Sequence, residues 1–489
     1  MDKELLVSFV VPIYKTEKYL EKSLKSLLDQ EYKNIEIICV LDGRDKRCEK
    51  ICENLKRKDK RIKQILTIEH GGACKARNHG YKYATGDIVS FWDSDCYSEF
   101  GMVRMWVKVF NLNPDVSFVY SDYRFNDEKQ SYLTSRPFDD YQLTCGNYIA
   151  TMFPMKREIF PGFDESLKSL QDWDMWLTVV EKGYKGYYLE GKGFTTEMRE
   201  GISSEGCHPK EWLNRYNRVR EKHGIKDRTI CFTSLTNPLR AMNLARLMKQ
   251  DYIEDPSYHP HEYKVIYNIG FYASSMNVST QVFVGAPKDC KKIVHWIGDD
   301  IESFYSLPYG GVKTLISTMN TAGVINYCES ELGAKMLTEL GLSNVEVHSL
   351  PMDVVNVPLP KDFKVFYECD RQTVDLMKAV IASSPDIKFE TPEYCKLSDY
   401  ACFVSITGSE FPSENMKRFL ASGRPVVTNY KMLYSNYTEL KRGDIVRKIR
   451  DLKKNWKKYK PDEKIVAYYK DLISEPKFKQ VLEGLNAKN

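Results

Sequence analysis

Between residues 5 and 125 the chain alternates short apolar runs with amphipathic stretches, and this alternation limits the fold more than any other feature. Val7–Ile13, Ile35–Leu41, Ile62–Ile68 and Ile88–Trp92 read as strands. Lys18–Gln30 puts Leu20, Leu24, Leu27 and Leu28 on one helical face. Asp45–Lys58 reads as a charged helix and Gly71–Ala84 as a helix opened by glycine. Strand followed by helix, repeated, predicts a parallel, doubly wound sheet whose ligands sit at the carboxyl ends of its strands. Asp42, Asp93 and Asp95 all fall at such ends.

The segment Phe91-Trp92-Asp93-Ser94-Asp95 sharpens that expectation. Charge placed directly after a buried strand needs a partner. Asp after a strand also serves as a turn or helix-cap residue. Two carboxylates separated by one residue can instead hold a divalent cation, which in turn can hold a diphosphate. That chemistry suits an enzyme using an activated, phosphate-bearing donor.

A chain of 489 residues exceeds one hydrophobic core and implies two or three domains. Residues 1–205 form the first α/β domain, with Gln171–Lys182 as a helix in its later, aromatic-rich part. Residues 206–260 read as a helical connector closed by the turn-rich Asp255-Pro256-Ser257-Tyr258-His259-Pro260. A second α/β pattern fills 261–446 as two small Rossmann-like lobes. Its strands are expected at Lys264–Tyr267, Gln281–Val284, Lys291–Trp296, Gly323–Tyr327 and Val345–His348, then at Phe363–Tyr367, Ile387–Phe389, Cys402–Ser405 and Pro425–Thr428. Residues 447–489 form a basic helical tail, whose Lys-rich run to Lys464 reads first as a solvated helix face.

With 42% hydrophobic and 28% charged residues the composition is that of a globular protein and excludes a disordered one. A net charge of +5 is too weak a bias to indicate nucleic-acid binding by itself. The 13 cysteines lack zinc-site spacing and read as reduced thiols. No apolar run approaches the ~20 residues of a membrane span, and no signal peptide is visible, so the expected location is the cytoplasm.

Four motifs carry a resemblance. They are Val10-Val11-Pro12-Ile13-Tyr14, Ile37-Ile38-Cys39-Val40-Leu41-Asp42-Gly43, Cys74-Lys75-Ala76-Arg77-Asn78-His79-Gly80 with Ala84-Thr85-Gly86-Asp87, and Asp93-Ser94-Asp95. In order and spacing they resemble glycosyltransferase family 2, the inverting sugar-nucleotide transferases of GT-A fold. The resemblance implies a nucleotide-sugar donor, with Pro12 and Tyr14 shaping the base pocket, Asp42 by the base or ribose, and Arg77 near the diphosphate or base. It places Asp93, Ser94 and Asp95 at the donor, with Asp95 and then Asp93 holding Mn²⁺ or Mg²⁺. Leu41 and Cys96 stand where the family usually has further acids.

A second motif, Ser169-Leu170-Gln171-Asp172-Trp173-Asp174, has a simple reading as acids at a helix N-terminus. In the family an acidic pair opens this helix and its second member is the general base. Gln171 stands where Glu is usual, so the resemblance makes Asp172 the base, with Trp173 and Asp174 on the acceptor side. The segment Thr196–Ser203 resembles the flexible family segment that follows, and His208 is a loop histidine that could add a metal ligand.

The C-terminal half resembles GT-B glycosyltransferases of family 4. His295-Trp296-Ile297-Gly298-Asp299-Asp300, Glu329 to Pro351, and Ser409-Glu410-Phe411-Pro412-Ser413-Glu414 with Ala421 to Val427 carry the likeness. It implies a candidate site at Glu410, Ser413, Glu414 and Asp299. Arg418 replaces the second Glu of the family's pair. The module is therefore a second transferase, a degenerate fold kept for acceptor binding or dimerisation, or an unrelated α/β domain.

The expected function is inverting, metal-dependent transfer of a sugar from a nucleotide-sugar, first of all a UDP-sugar, to a hydroxyl. The acceptor is open between a glycan, a lipid-linked saccharide, a protein and modified DNA. A bifunctional enzyme, a homo-oligomer, and a non-catalytic sugar-nucleotide or glycan-binding protein are the alternatives.

Overall fold

A computed structural model of the chain describes residues 4–126, 132–133, 135–197, 209–225, 228–254, 263–271, 286, 289–305, 309–351, 360, 362–369, 373–391, 399–406, 413–422, 424–428, 436–437, 441–456 and 463–487. The chain divides into two compact units, Met1–Asp227 and Arg228–Asn489.

In unit 1 the expected alternation is present. Strands β1 (Val7–Ile13), β2 (Ile35–Asp42), β3 (Ile62–Ile68) and β4 (Ile88–Phe91) are separated by helices α1 (Glu17–Leu28), α2 (Lys46–Lys58) and α3 (Ala73–Tyr81). Every residue of β1, β2 and β4 is buried, as expected where helices cover both faces of a parallel sheet. Leu20, Leu24, Leu27 and Leu28 are the buried stripe of α1. Asp45 caps α2, its carboxylate accepting from the Arg47 and Cys48 amides.

The second part of unit 1 runs β5 (Cys96–Ser98), α4 (Met102–Leu112), β6 (Phe118–Asn126), β7 (Tyr132–Leu133), α5 (Asp140–Cys145), β8 (Met155–Lys156), α6 (Gln171–Glu181), β9 (Gly186–Glu197) and α7 (Pro209–Lys222). The sheet order is β3-β2-β1-β4-β8-β6-β9-β5, with β7 beside β6. Pairing is parallel from β3 to β4 and mixed beyond it. The sheet is therefore mixed, as the resemblance to a Rossmann-like, mixed-sheet GT-A domain implied; the opening strand–helix alternation describes its parallel half. Register sets Leu41 beside Ile13 and Phe91 beside Val10. Asp42, Tyr14 and Asp93 thus leave the sheet at one edge.

Unit 2 holds two all-parallel sheets. The first uses β10 (Ile230–Thr233), α8 (Pro238–Met248), β11 (Asp251–Tyr252), β12 (Val265–Ile269), β13 (Lys291–Trp296), α9 (Asp299–Tyr305), α10 (Tyr309–Thr321), β14 (Ile325–Cys328), α11 (Glu331–Glu339) and β15 (Val345–Val347). Its order is β11-β10-β12-β13-β14-β15. The second uses β16 (Lys364–Cys369), α12 (Val374–Ala382), β17 (Lys388–Glu390), β18 (Cys402–Ile406), α13 (Glu414–Ala421), β19 (Val426–Thr428) and β20 (Asn436–Tyr437), in the order β17-β16-β18-β19-β20. In both, the first strand is flanked by the second and third, the doubly wound arrangement with a switch point beside that first strand. The helices α14 (Arg442–Asn455), α15 (Glu463–Leu472) and α16 (Glu475–Ala487) close the chain.

Two expectations change. Residues 206–260 are not a helical connector: α7 belongs to unit 1, and β10, α8 and β11 build the edge of the first sheet of unit 2. The basic end is not a separate tail. Ile445, Val446 and Ile449 of α14 are buried in one core cluster, and Tyr469 and Ile473 in another. The strand expected at Gln281–Val284 lies outside the described residues.

Candidate active site

The turn after β4 is held from below. The Trp92 indole donates to Ser23 Oγ at 3.2 Å and to the Cys96 carbonyl at 3.3 Å. The Cys96 amide donates to the Asp93 carbonyl at 3.1 Å. Ser94 is buried and donates to Thr16 Oγ1 at 3.0 Å. These bonds leave Asp93 and Asp95 half-buried at the rim, while Ser94 points inward. The Glu197 amide at the end of β9 donates to the Asp95 carbonyl at 3.2 Å, so the last strand also borders the turn.

Arg77 reaches this turn from α3. Its Nη2 lies 2.6 Å from Asp93 Oδ1, and its guanidinium sits over the Phe163 ring at 5.3 Å. The side chain is 7% exposed, and its Nε has no hydrogen-bond partner among the described residues. Helix α3 can come this close to the sheet because of Gly80. A Cβ there would meet Val10 Cγ1 at 2.5 Å and Val40 Cγ2 at 2.8 Å.

Asp42 is buried at the end of β2. Its carboxylate accepts from the Gly71 amide at 2.7 Å and the Gly72 amide at 2.9 Å, and lies 2.9 Å from His70 Nδ1. At 3% exposure it closes the loop before α3 instead of facing open space. The loop in turn stacks His70 on Tyr14, with ring centroids 4.4 Å apart and planes 14° from parallel. Pro12 is buried in β1 opposite Val40. Leu41 and Cys96, the two departures from the family's acids, are core residues at 1% and 0% exposure.

Helix α6 brings the next carboxyl. Asn78 of α3 clamps the approach: its amide donates to the Phe163 carbonyl and its carbonyl accepts from the Phe163 amide, at 2.9 and 2.8 Å. Asp172, in the first turn, accepts from Asn147 Nδ2 at 2.9 Å and from the Trp173 amide at 2.9 Å. Burial raises its pKa. The Trp173 amide and the Arg77 charge oppose that rise without cancelling it, and Asp93 adds to it. Arg77 and Asp93, paired with each other, both act on the charge of the Asp172 carboxyl.

Trp173 and Asp174 turn inward instead. Trp173 is fully buried, donates to the Leu143 carbonyl at 2.6 Å and stacks on Tyr216 of α7 at 4.7 Å. Asp174 is 2% exposed and paired with Lys222 and His223. Successive helical positions point about 100° apart, so the residue that faces outward cannot share its direction with the next two.

Sequence reasoning missed Thr16, His70, Asn147 and His223. Each meets its partner only through tertiary contact, and none sits in a recognisable local motif. Of the C-terminal candidates, Ser413 caps α13 by accepting from the Met416 amide at 3.2 Å. The side chains of Glu414 and Asp299, and all of Glu410, lie outside the described residues, as do 198–203 and His208. Asp300, beside Asp299, is buried and accepts backbone amides from Phe271, Ile297, Gly298 and Ile301.

Residues 8–164 match the family model "Glycosyl transferase family 2". An uncharacterized glycosyltransferase of Haemophilus influenzae is 32% identical over 233 residues, covering 45% of this chain and 90% of the relative. The chain belongs to glycosyltransferase family 2. The mixed α/β sheet of this transferase's unit 1 matches a GT-A-like domain. The glycosyltransferase GlyG of Streptococcus pneumoniae is 35% identical over 138 residues, 27% of this chain and 45% of its own length. Among solved structures, Staphylococcus aureus TarS residues 1–349 with UDP-GlcNAc aligns at 16% identity over 58% of this chain and 82% of that one, with a TM-score of 0.38. No helix among the described residues is long and apolar enough to cross a membrane.

Proposed function

We propose that unit 1 transfers a sugar, with inversion, from a nucleotide-diphosphate sugar to a hydroxyl acceptor, and that Asp172 is the general base. One observation carries this reading. Asp172 is a carboxyl held in the first turn of α6 by Asn147, within electrostatic reach of the Arg77–Asp93 pair and with its pKa raised by burial. A base that takes the acceptor proton as its oxygen attacks the anomeric carbon needs that placement and gains from that shift. The Tyr14–His70 stack suits a planar base, and a UDP-sugar is the first donor to test.

The donor set of the turn after β4 fits a hard divalent cation. Asp93 and Asp95 offer carboxylate oxygens on one short turn, and Arg77 engages only Oδ1 of Asp93. Mn²⁺ or Mg²⁺ bound there would neutralise charge on the leaving diphosphate. Arg77 orients Asp93, Thr16 and Ser94 fix the turn, and Asn147 aims Asp172.

Unit 2, on this reading, is a GT-B-like pair of Rossmann lobes. Two all-parallel sheets with the same switch point beside their first strand support it. It serves the acceptor, and a glycan, a lipid-linked saccharide, a protein or modified DNA are the acceptors to screen.

The decisive experiment is release of UDP from UDP-sugars with and without Mn²⁺, in wild type and in Asp172→Asn. The variant should keep donor affinity and lose ~10²–10⁴ in kcat. Retained turnover in Asp172→Asn would remove the base assignment. Donor binding with no turnover under any condition would favour a non-catalytic binding protein.

A further inference from the structure

The helix that carries Asp172 and the helix that anchors it both lie beyond the segment that matches the family model. Helix α7 lies beyond residue 164 and fixes each of the two residues that follow Asp172. Tyr216 stacks on Trp173 at 4.7 Å and 18°, and its hydroxyl donates to the Cys145 carbonyl at 2.8 Å, beside the Leu143 carbonyl that holds the Trp173 indole. Lys222 lies 2.7 Å from Asp174 and 2.8 Å from Asp164, bridging the start of α6 to the loop before it. His223 then spans the helix, with Nε2 at 2.9 Å from Asp174 Oδ1 and Nδ1 at 2.7 Å from Glu181 Oε1.

The backbone at this point is held too. The Ile225 amide donates to the Arg220 carbonyl across Gly224 at φ +64°, and Ile225 is buried in the core. This is the left-handed turn that ends helices, and it fixes where His223 points. Asp172 cannot rotate about the axis of α6 while Trp173 and Asp174 keep these partners.

We propose that His223, with Lys222, is a positioning residue for glycosyl transfer: by bridging Asp174 and Glu181 it locks the rotation of α6 and so the aim of the Asp172 carboxyl. The role rests on Asp172 being the base. It has a pH signature that follows from geometry. A neutral imidazole has one N–H, so only the imidazolium can donate to two carboxylates at once. The groups facing the ring are Asp174 and Glu181 from α6 and Lys222 from its own chain end, with Asp164 reaching Lys222 alone. Burial lowers the imidazole's pKa, but the bonds to Asp174 and Glu181 outweigh it, and the net shift is upward from 6.5. The full bridge is thus present below pH 6.5 and is lost as pH rises through the raised folded value.

The test uses the full chain, with two readouts. Hydrogen exchange of the amides of residues 171–176, corrected for intrinsic rate, should accelerate as pH rises. The midpoint should fall in Glu181→Gln, whose wild-type side chain is 52% exposed and whose loss threatens folding little. Hydrolysis of UDP-GlcNAc with Mn²⁺, water being the acceptor, should show an alkaline limb that moves down with that midpoint. In His223→Gln, kcat should fall ~10–10²-fold with KM for UDP-GlcNAc unchanged, since misplacing a reacting group costs on this scale. His223→Lys should recover part of it at high pH. Unchanged exchange of α6 in both Glu181→Gln and His223→Gln would overturn the proposal. Absence of any hydrolysis in wild type would instead count against the enzymatic reading, and the exchange data would still judge the clamp.

Discussion

The Asp42 carboxylate shows what a single residue contributes beyond its motif. It accepts two backbone amides and faces His70, so its first effect is to shape the loop at 70–72 and the stack on Tyr14. Replacing it by Ala removes the acceptor of the Gly71 and Gly72 amides, at ~0.5–1.5 kcal/mol. We expect Asp42→Ala to lower the unfolding free energy by that amount and to raise the donor KM while sparing kcat, measured by urea unfolding and steady-state kinetics. An equal loss in kcat and no change in KM would show that the loop does not shape donor binding. The same scale explains Leu41 and Cys96. Both are sealed in the core, where an added carboxylate would be desolvated, so their apolar character agrees with the packing around them.

At the scale of elements, the site depends on how closely α3 approaches β1 and β2. Gly80 sets that distance, since a methyl group there would overlap Val10 and Val40. Gly80→Ala should cost ~1–3 kcal/mol by overpacking. It should also tilt α3, carrying Arg77 away from Asp93. The expected result is a lower melting temperature together with a smaller thermal shift on adding UDP-GlcNAc and Mn²⁺. A stable variant with an undiminished ligand shift would show that the helix has room to spare. The elements of the first sheet half were legible because each is a continuous apolar run bounded by turn residues. The edge of unit 2 was not. Ile230–Thr233 is only four residues long and sits between helices, and a short apolar run reads equally as buried helix until its partner β12 is known.

The whole molecule adds charges that no local window pairs. In unit 2, Glu329 follows β14 and is paired with Arg240 of α8 at 2.8 Å and with Lys417 of α13, and His295 lies fully buried beside it. Burial raises the Glu329 pKa, but Lys417 and Arg240 outweigh it and hold the carboxyl at about 2. Burial drives the His295 imidazole down to about 3. In both cases the unfolded chain takes up its proton at higher pH than the folded one. Stability contributed here is present above the unfolded values and is lost as pH falls from 6.5 towards about 3 for His295, and from 4.5 towards about 2 for Glu329. We expect the melting temperature of unit 2 to fall steeply across that window, and His295→Gln to flatten the upper part of the slope. Lys417→Ala should cost ~3–5 kcal/mol at neutral pH by leaving a buried carboxylate short of a partner. Calorimetry over pH 3–8 checks both, and a slope unchanged by His295→Gln would place its origin elsewhere.

The amino-acid sequence by itself determined the strand–helix order of unit 1, the turn bearing Asp93 and Asp95, the helix that starts at Gln171, and the existence of a second α/β region. Each of these follows from apolar period and turn residues within about a dozen positions. Only the tertiary structure decided that Asp42 closes a loop, that Trp173 and Asp174 face inward, and that 230–252 belongs to a sheet. The reason is physical. A side chain's direction and its hydrogen-bond partners are set by whatever packs against it, and here those groups come from His70 for Asp42, from Tyr216, Lys222 and His223 for α6, and from β12 for β10.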